Sequence, residues 1–156
     1  MGDRAFCSFA HLALIFQRKL HAVFRVHQRQ LVDFWPHRAH QVPGRGKARV
    51  GVPRSRWLRK LAVRDQLVEW FKPVECPKWM TAEQFAALPR TLVLRELRYR
   101  VVQPGFRSRE ITLVTTLLDA QRYRAAALAE LYRLRWRVEV YQPECTSSAR
   151  LYQLAA

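Results

Sequence analysis

The segment that most constrains the fold runs from Tyr123 to Tyr141, because it contains neither Gly nor Pro and is rich in Ala, Leu, Arg and Glu. Such residues have high helix propensity and together predict one long α-helix. Pro143 follows and cannot continue a helix, so we expect the helix to end near Tyr141. Apolar residues recur near one face and are expected to pack on the core: Leu128, Leu131, Leu134, Val138 and Tyr141.

Shorter helices and strands are predicted upstream, in mixed order. A helix is expected from Ser8, a candidate N-cap, to Lys19, and a second from Thr81 to Leu88 with Gln84 at the capping-box position. Strands are predicted over four ranges: His21–His27, Asp65–Phe71, Thr91–Val102 and Arg107–Leu117. The last two flank Pro104-Gly105 and are expected to form a hairpin. These elements predict an α/β fold.

The charge of the chain points to a polyanionic partner. Its 28 Lys and Arg against 12 Asp and Glu give a formal net charge of +16, which repels itself unless a polyanion or salt screens it. Nucleic acid is the usual polyanion, and Arg can hold phosphate with two parallel hydrogen bonds. A solvated basic surface is the alternative. Binding to a membrane surface is disfavoured because Arg is scattered rather than gathered on one amphipathic helix.

The segment from His37 to Lys60 is predicted to be an exposed basic loop. Gly and Pro interrupt it repeatedly, and its cationic residues have no acidic neighbour in the sequence. We expect its basic side chains to contact DNA phosphates: Arg45, Lys47, Arg49, Arg54, Arg56 and Arg59.

The cysteines and apolar runs bear on where the chain resides. Cys7, Cys76 and Cys145 are odd in number and lack metal-ligand spacing, which favours a reducing cytoplasm over a disulfide framework or zinc site. The apolar run Leu12–Phe16 is too short to span a membrane. We therefore expect a soluble cytoplasmic protein without a membrane partner.

The long predicted helix also carries a polar constellation. Tyr132, Arg135 and Glu139 are spaced by three and four residues, so they share a face, and we expect that face to be rotated away from the Leu residues. A carboxylate, a guanidinium and a phenol together could serve a metal and a phosphate. Spacing alone favours a simpler alternative, a surface ion pair between Arg135 and Glu139 worth about 0.3–0.5 kcal/mol.

Resemblance to a family changes this balance. The sequence YRLRWRVEVY, Tyr132 to Tyr141, resembles the signature Y-x(2)-R-x(3)-E-x(6)-K of DDE transposases of bacterial insertion sequences. GDRAFCSF near the start resembles the stretch that carries the family's second catalytic Asp, which corresponds to Asp3. The intervening SRWLRKLAVRDQLVEW and the hairpin resemble the β-rich insertion of these enzymes, here about residues 55–118.

The resemblance implies a partial ribonuclease-H-like (integrase-like) catalytic fold over residues 1–141, ending in a catalytic helix. It implies metal-dependent DNA cleavage and strand transfer, with Mg²⁺ or Mn²⁺ held by carboxylates. Asp3 and Glu139 would be metal ligands, and Tyr132 and Arg135 would contact DNA phosphate. The implied partners are DNA and either full-length transposase or a second copy of the chain, in the nucleoid region of a bacterial cytoplasm.

Departures from the family pattern predict a truncated chain. The first catalytic Asp should lie upstream of Asp3, Thr146 stands where the signature has Lys, and residues 142–156 form a divergent tail. We therefore expect that the chain alone does not cleave DNA. The competing hypotheses are a non-enzymatic basic nucleic-acid-binding module, including an RNA-binding one, and a fragment that inhibits intact transposase.

Overall fold

The computed structural model describes residues 7–27, 30–101 and 109–140, and for residues 135–140 it describes the helical backbone alone. Its elements are α1 (Phe9–Gln17), β1 (Val23–Arg25), β2 (Ser55–Ala62), β3 (Asp65–Phe71), α2 (Ala82–Ala86), β4 (Thr91–Val101), β5 (Arg109–Thr115) and α3 (Ala125–Val140). Within that part of the chain the strands form one antiparallel sheet in the order β1-β5-β4-β3-β2. The predicted mixed α/β class is confirmed.

Local hydrogen bonds explain where the short helices begin. The Ser8 hydroxyl accepts from the backbone N–H of His11 at 3.3 Å and caps α1. At α2, the Thr81 hydroxyl accepts from the N–H of Gln84, and the Gln84 side chain accepts from the N–H of Thr81. Each cap satisfies backbone donors that a first helical turn leaves without partners. The N-cap and the capping box predicted from the sequence are confirmed.

The sheet is covered on both faces by helices. Alternating strand residues such as Val68 and Leu94 pack with Leu12 of α1, whereas Leu97 and Leu113 belong to the core cluster that includes residues of α3. Successive side chains of a strand point to opposite faces, so a strand covered on both faces carries apolar residues on both. The sheet therefore lies between α1 and α3.

The packing face of α3 differs from the predicted one. Leu128 and Tyr132 are 3% and 0% exposed, whereas Leu131 and Leu134 are 41% and 42% exposed. The prediction that the Leu residues mark the buried face was wrong for Leu131 and Leu134, because the large ring of Tyr132 packs on the sheet in their place. Val138 and Tyr141, the other members of the predicted stripe, lie where the structure describes no side chain.

The predicted basic loop is shorter than expected. It ends at Arg54, because β2 begins at Ser55 and pairs with β3. The predicted loop up to Lys60 was wrong over this stretch, since the hydrogen-bonding partner that makes it a strand is distant in sequence. The other predicted strands are confirmed with small changes of length, whereas the hairpin turn at Pro104-Gly105 lies outside the described residues. Across the described ranges, no helix has the length and apolar character needed to cross a bilayer.

Candidate catalytic helix and nucleic-acid interface

A buried ion pair fixes the approach to α3. The guanidinium of Arg95 donates to both carboxylate oxygens of Asp65, with Nε–Oδ1 2.7 Å and Nη2–Oδ2 2.5 Å, and both residues are buried. The remaining Nη1 donates to the carbonyl oxygen of Tyr123 at 2.6 Å. Tyr123 precedes α3 closely, so β3 and β4 hold the start of this helix through Arg95. Charges this deeply buried are stable only when their hydrogen bonds are satisfied, as here.

The loop that leads into α3 is also held by Asp119. Its carboxylate accepts from the backbone N–H groups of Gln121 and Arg122 at 2.8 and 3.1 Å, and these bonds lower the pKa of Asp119. The resulting turn stabilises the connection between β5 and α3.

Tyr132 anchors the middle of α3 against the sheet. Its side chain is fully enclosed in a cluster with Val23, Leu97 and Leu113. Nearby, burial raises the pKa of Tyr99 to about 12, the Tyr132 phenol adds to this rise, and Arg25 opposes it. The hydroxyl of Tyr132 is thus inside the protein in this structure, where it is not accessible to a phosphate.

The other residues predicted for catalysis fall outside what the structure describes in side-chain detail. Asp3 precedes the described residues, and Arg135 and Glu139 lie on the helical backbone of α3 without described side chains. The described residues contain no group of three or more His, Cys, Asp or Glu side chains suited to a metal ion. Neither Asp3 nor Glu139 is among the residues whose side chains are described, so the metal site at these two residues stays a prediction.

The basic residues predicted to contact DNA divide into two groups. Arg45, Lys47, Arg49 and Arg54 are exposed in the loop before β2. Arg56 and Arg59 are exposed on β2 itself, where Arg56 forms an ion pair of 2.5 Å with Glu69. Strand pairing places Arg56 directly opposite Glu69, an acidic neighbour that the linear sequence did not reveal. One of the predicted phosphate contacts is therefore already partly neutralised.

Gln41 holds the loop of the first group in place. Its side-chain amide donates to the carbonyl of Arg49 at 2.5 Å, and its backbone N–H donates to the carbonyl of Pro53 at 2.8 Å. Gly44, Gly46 and Gly51 adopt positive φ angles, which side-chain-bearing residues rarely adopt. The loop thus presents its cationic side chains from a bonded backbone.

The sequence of the chain matches the family described as "Transposase DDE domain" over residues 1–151. The chain belongs to this family. No curated protein and no solved structure matches it. Membership of the transposase family implies an activity in DNA transposition, and it makes DNA the expected partner. Transposases of this family generally use divalent metals, and both predicted ligands, Asp3 and Glu139, fall within the matched residues.

The transposase domain also contains a buried polar network that sequence reasoning missed. The carboxylate of Glu96 accepts from Trp70 Nε1 and Gln66 Nε2, each at 2.9 Å. Burial raises the pKa of Glu96, whereas the bonds from Trp70 and Gln66 and the charges of Arg38 and Arg98 oppose the rise. A buried carboxyl group with these donors is a fixed structural element of the sheet.

Arg38 extends this network to the loop. Its guanidinium donates to the backbone carbonyls of Asp33 and Ser55 and to the Ser55 hydroxyl, the last at 2.5 Å. Arg38 had been included in the exposed basic segment, but it is buried. The sequence of β4 contained a signal for this network, because Arg95 and Glu96 lie between Leu94 and Leu97. Apolar residues on both faces of a strand indicate that both faces are covered. Charged residues within such a strand are buried and must be paired.

Proposed function

We propose that this transposase domain acts in the DNA-mediated transposition of an insertion-sequence element, by metal-dependent DNA cleavage and strand transfer. The observation that carries the proposal is the family match over residues 1–151, which includes Asp3, Tyr132, Arg135 and Glu139 in the order of the resembled signature. Asp3 and Glu139 would hold Mg²⁺ or Mn²⁺, because carboxylate oxygens are the ligands that these ions prefer. A bound divalent ion supplies Lewis acidity at the scissile phosphodiester.

Helical spacing supports a shared side for these residues. Leu128 and Tyr132 face the sheet, and positions 135 and 139 recur on the same side of an α-helix with 3.6 residues per turn. We assign Arg135 to a phosphate near the cleavage point and Glu139 to the metal. Tyr132 was expected to contact phosphate as well; its burial instead supports a role in holding α3 at a fixed height above the sheet.

A partial ribonuclease-H-like fold would accompany this function. Residues 1–141 would form a partial ribonuclease-H-like catalytic domain, residues 55–118 its β-rich insertion, and residues 142–156 a divergent tail. Two features support the assignment: α1 and β1 precede the hairpins, and β1 is hydrogen-bonded to β5, so the insertion would extend a sheet that the catalytic part begins.

We further propose that the 156-residue chain by itself binds DNA without cleaving it. Thr146 stands where the resembled signature has a Lys, so the signature of this chain is incomplete. Binding of DNA would rest on the net charge of +16 and would fall steeply with added salt. Its protein partner would be full-length transposase or a second copy of the chain.

Metal binding tests the site directly. The variants Asp3→Asn and Glu139→Gln should weaken the binding of Mn²⁺, followed by electron paramagnetic resonance of the free ion. Glu130→Gln is the matched control, because Glu130 lies on the same helix but is exposed and pairs with Arg133. Equal Mn²⁺ affinity in Glu139→Gln and wild type would remove Glu139 from the site.

DNA cleavage is tested with supercoiled plasmid and Mg²⁺ or Mn²⁺. We expect retention of the plasmid on a gel without nicked product. Specific nicking by the chain alone would contradict the proposed inactivity while leaving the family function intact.

A non-enzymatic nucleic-acid-binding module is the second candidate, and the net charge of +16 is the observation that favours it. Two results would support this candidate over the transposase proposal. An RNA of equal length would displace bound DNA completely, and the Glu139→Gln substitution would leave Mn²⁺ binding unchanged.

A further inference from the structure

A groove of about 720 Å³ lies between β2 and the loop that leads into α3. Arg59 and Lys60 line it from β2, and Asp119 lines it from the loop. Three half-buried residues supply its apolar lining: Leu61, Leu67 and Leu118. Clefts of about 300–1,000 Å³ are typical of binding sites in proteins, so the groove has room for several side chains of a partner.

An irregularity in β2 forms one wall of the groove. The pairing of β2 with β3 shifts register between Trp57 and Arg59, and again between Lys60 and Ala62. Leu61 is the residue that the second shift leaves without a partner in β3. Successive side chains of a regular strand point to opposite faces, whereas an extra residue in one strand redirects its neighbours. As a result, three successive residues of β2 contribute to one groove.

The charges of the groove favour an anionic group of a partner. Arg59 and Lys60 are exposed, and their side chains form no hydrogen bond or ion pair with the described residues, unlike Arg56, which pairs with Glu69. The carboxylate of Asp119 already accepts two backbone N–H bonds within its own loop. Two cations without a described counter-charge therefore lie next to an apolar surface, and an acidic side chain would complement them.

The lining also distinguishes between classes of partner. None of the described lining residues is aromatic, so the groove offers no ring on which a nucleic-acid base stacks. The carboxylate of Asp119 repels a DNA phosphate. Leu side chains contact the aliphatic side chains of a protein favourably, because both lose apolar surface to water when they are apart. The groove thus fits a protein segment better than a nucleic acid.

We propose that this groove binds a short acidic and aliphatic segment of another protein, with an acidic side chain on Arg59 and Lys60 and aliphatic side chains against the three Leu residues. The inference goes beyond the proposed function and does not depend on it. It assigns Arg59 to a protein contact instead of the phosphate contact expected from the sequence. A segment bound here lies against the turn that Asp119 stabilises, which leads directly into α3.

A labelled peptide tests the groove in the 156-residue chain. The probe is a short fluorescein-labelled peptide of alternating Glu and Leu, and its binding is followed by fluorescence anisotropy. In one reference peptide Lys replaces every Glu, and in the other Gly replaces every Leu. Arg59→Gln with Lys60→Gln removes the two cations of the groove.

Arg45→Gln with Lys47→Gln is the matched control, because it removes the same charge from an exposed loop that does not line the groove. All four substituted residues are exposed, and circular dichroism checks that both double variants fold. Leu61→Ala tests the apolar lining separately.

We expect the wild type to bind the Glu–Leu peptide more tightly than either reference peptide. The groove variant should lose about tenfold in affinity for it, and the control variant about twofold or less, since only the first pair contacts the peptide. Leu61→Ala should weaken the binding about threefold or more, because it removes apolar contact area.

Three results would overturn the proposal: absence of binding of the Glu–Leu peptide to the wild type, equal losses in the two double variants, or equal binding of the three peptides. Duplex DNA that displaces the peptide, and that loses more affinity in the groove variant than in the control, would assign the groove to nucleic acid instead. Self-association of the wild type that the groove variant abolishes, measured by light scattering, would assign it to a second copy of the chain. Either assignment would also overturn the proposal.

Discussion

Arg95 and Asp65 face each other inside the sheet and are joined by two hydrogen bonds, while the third donor of Arg95 reaches the residue that leads into α3. Within the described chain, these are the side chains through which β3 and β4 hold the start of the helix that carries Glu139. The expected metal ligand therefore depends on a buried ion pair outside the resembled signature.

Loss of Arg95 should destabilise the fold strongly. Arg95→Met leaves the Asp65 carboxylate buried without its partner, and we expect the free energy of unfolding to fall by about 3–5 kcal/mol. Urea unfolding followed by circular dichroism measures the change. The double variant Arg95→Met with Asp65→Leu should recover most of the loss, because apolar residues replace both charges. If the single variant unfolds at the wild-type urea concentration, the pair is not a determinant of stability.

The burial of Tyr132 predicts an asymmetry along α3. Tyr132→Ala opens a cavity against the sheet and should lower the free energy of unfolding by about 3–5 kcal/mol. Leu131→Ala, its neighbour at 41% exposure, should lower it by less than about 1 kcal/mol. Thermal unfolding of the two variants compares them. A larger loss in Leu131→Ala would restore the packing face that was predicted from the Leu positions.

Lys72 caps the end of α2 and should contribute to stability. Its ammonium group donates to the carbonyl oxygens of Phe85, Ala86 and Leu88 at 2.9, 3.1 and 3.1 Å. Lys72→Met should lower the free energy of unfolding by about 1–3 kcal/mol, since hydrogen bonds to charged groups are the stronger ones. Lys78→Met, at an exposed position, is the control in urea unfolding. Equal effects of the two substitutions would contradict the cap.

The buried Glu96 carboxyl predicts a pH dependence. Burial raises the pKa of Glu96 in the folded state above its usual value of 4.5. At pH values above 4.5, the folded protein therefore binds more protons at this group than the unfolded protein does. Stability should therefore decrease as the pH rises from 4.5 toward the raised pKa, and be unaffected by this group at lower pH. Urea unfolding of wild type and Glu96→Gln across this range isolates the effect as a difference. A difference that grows more favourable to wild type with rising pH would mean that Arg38 and Arg98 outweigh the burial.

Cys7 should be chemically inert in the folded protein. Cys7 is half-buried. Desolvation of its sulfur, and secondarily the charge of Glu96, raise the pKa of the thiol to about 12, so almost none of it is thiolate at pH 8. Cys76 is exposed and should react with iodoacetamide. Mass spectrometry of labelled peptides compares the two sites with and without urea, and modification of Cys7 at the rate of Cys76 under native conditions would contradict the burial.

Features that depend on neighbouring residues could be predicted from the sequence. The capping box of Thr81 and Gln84 was predicted because both partners lie within one helical turn. The strand Asp65–Phe71 was predicted with its observed ends, because Pro73 follows it closely in the sequence. The resemblance in the Tyr132–Tyr141 segment led to the correct family, because signature residues on one helix keep their spacing.

Features that depend on residues distant in the sequence could not be predicted from it. Glu69 neutralises Arg56 only because β2 and β3 pair in one register, and Arg38 is buried only because Ser55 and Asp33 accept its hydrogen bonds. The face of α3 was misjudged because counting Leu residues ignores the apolar ring of Tyr132. The site residues Asp3, Arg135 and Glu139 stay predictions, since their side chains lie outside the described part.

The sheet keeps the two halves of the core apart. The cluster on the side of α1 and the cluster on the side of α3 share no described residue. β1, β4 and β5 contribute side chains to both clusters, because successive residues of a strand point to opposite faces. A substitution that loosens one cluster would therefore reach the other through the strand backbone, so these three strands transmit strain between two layers that otherwise pack independently.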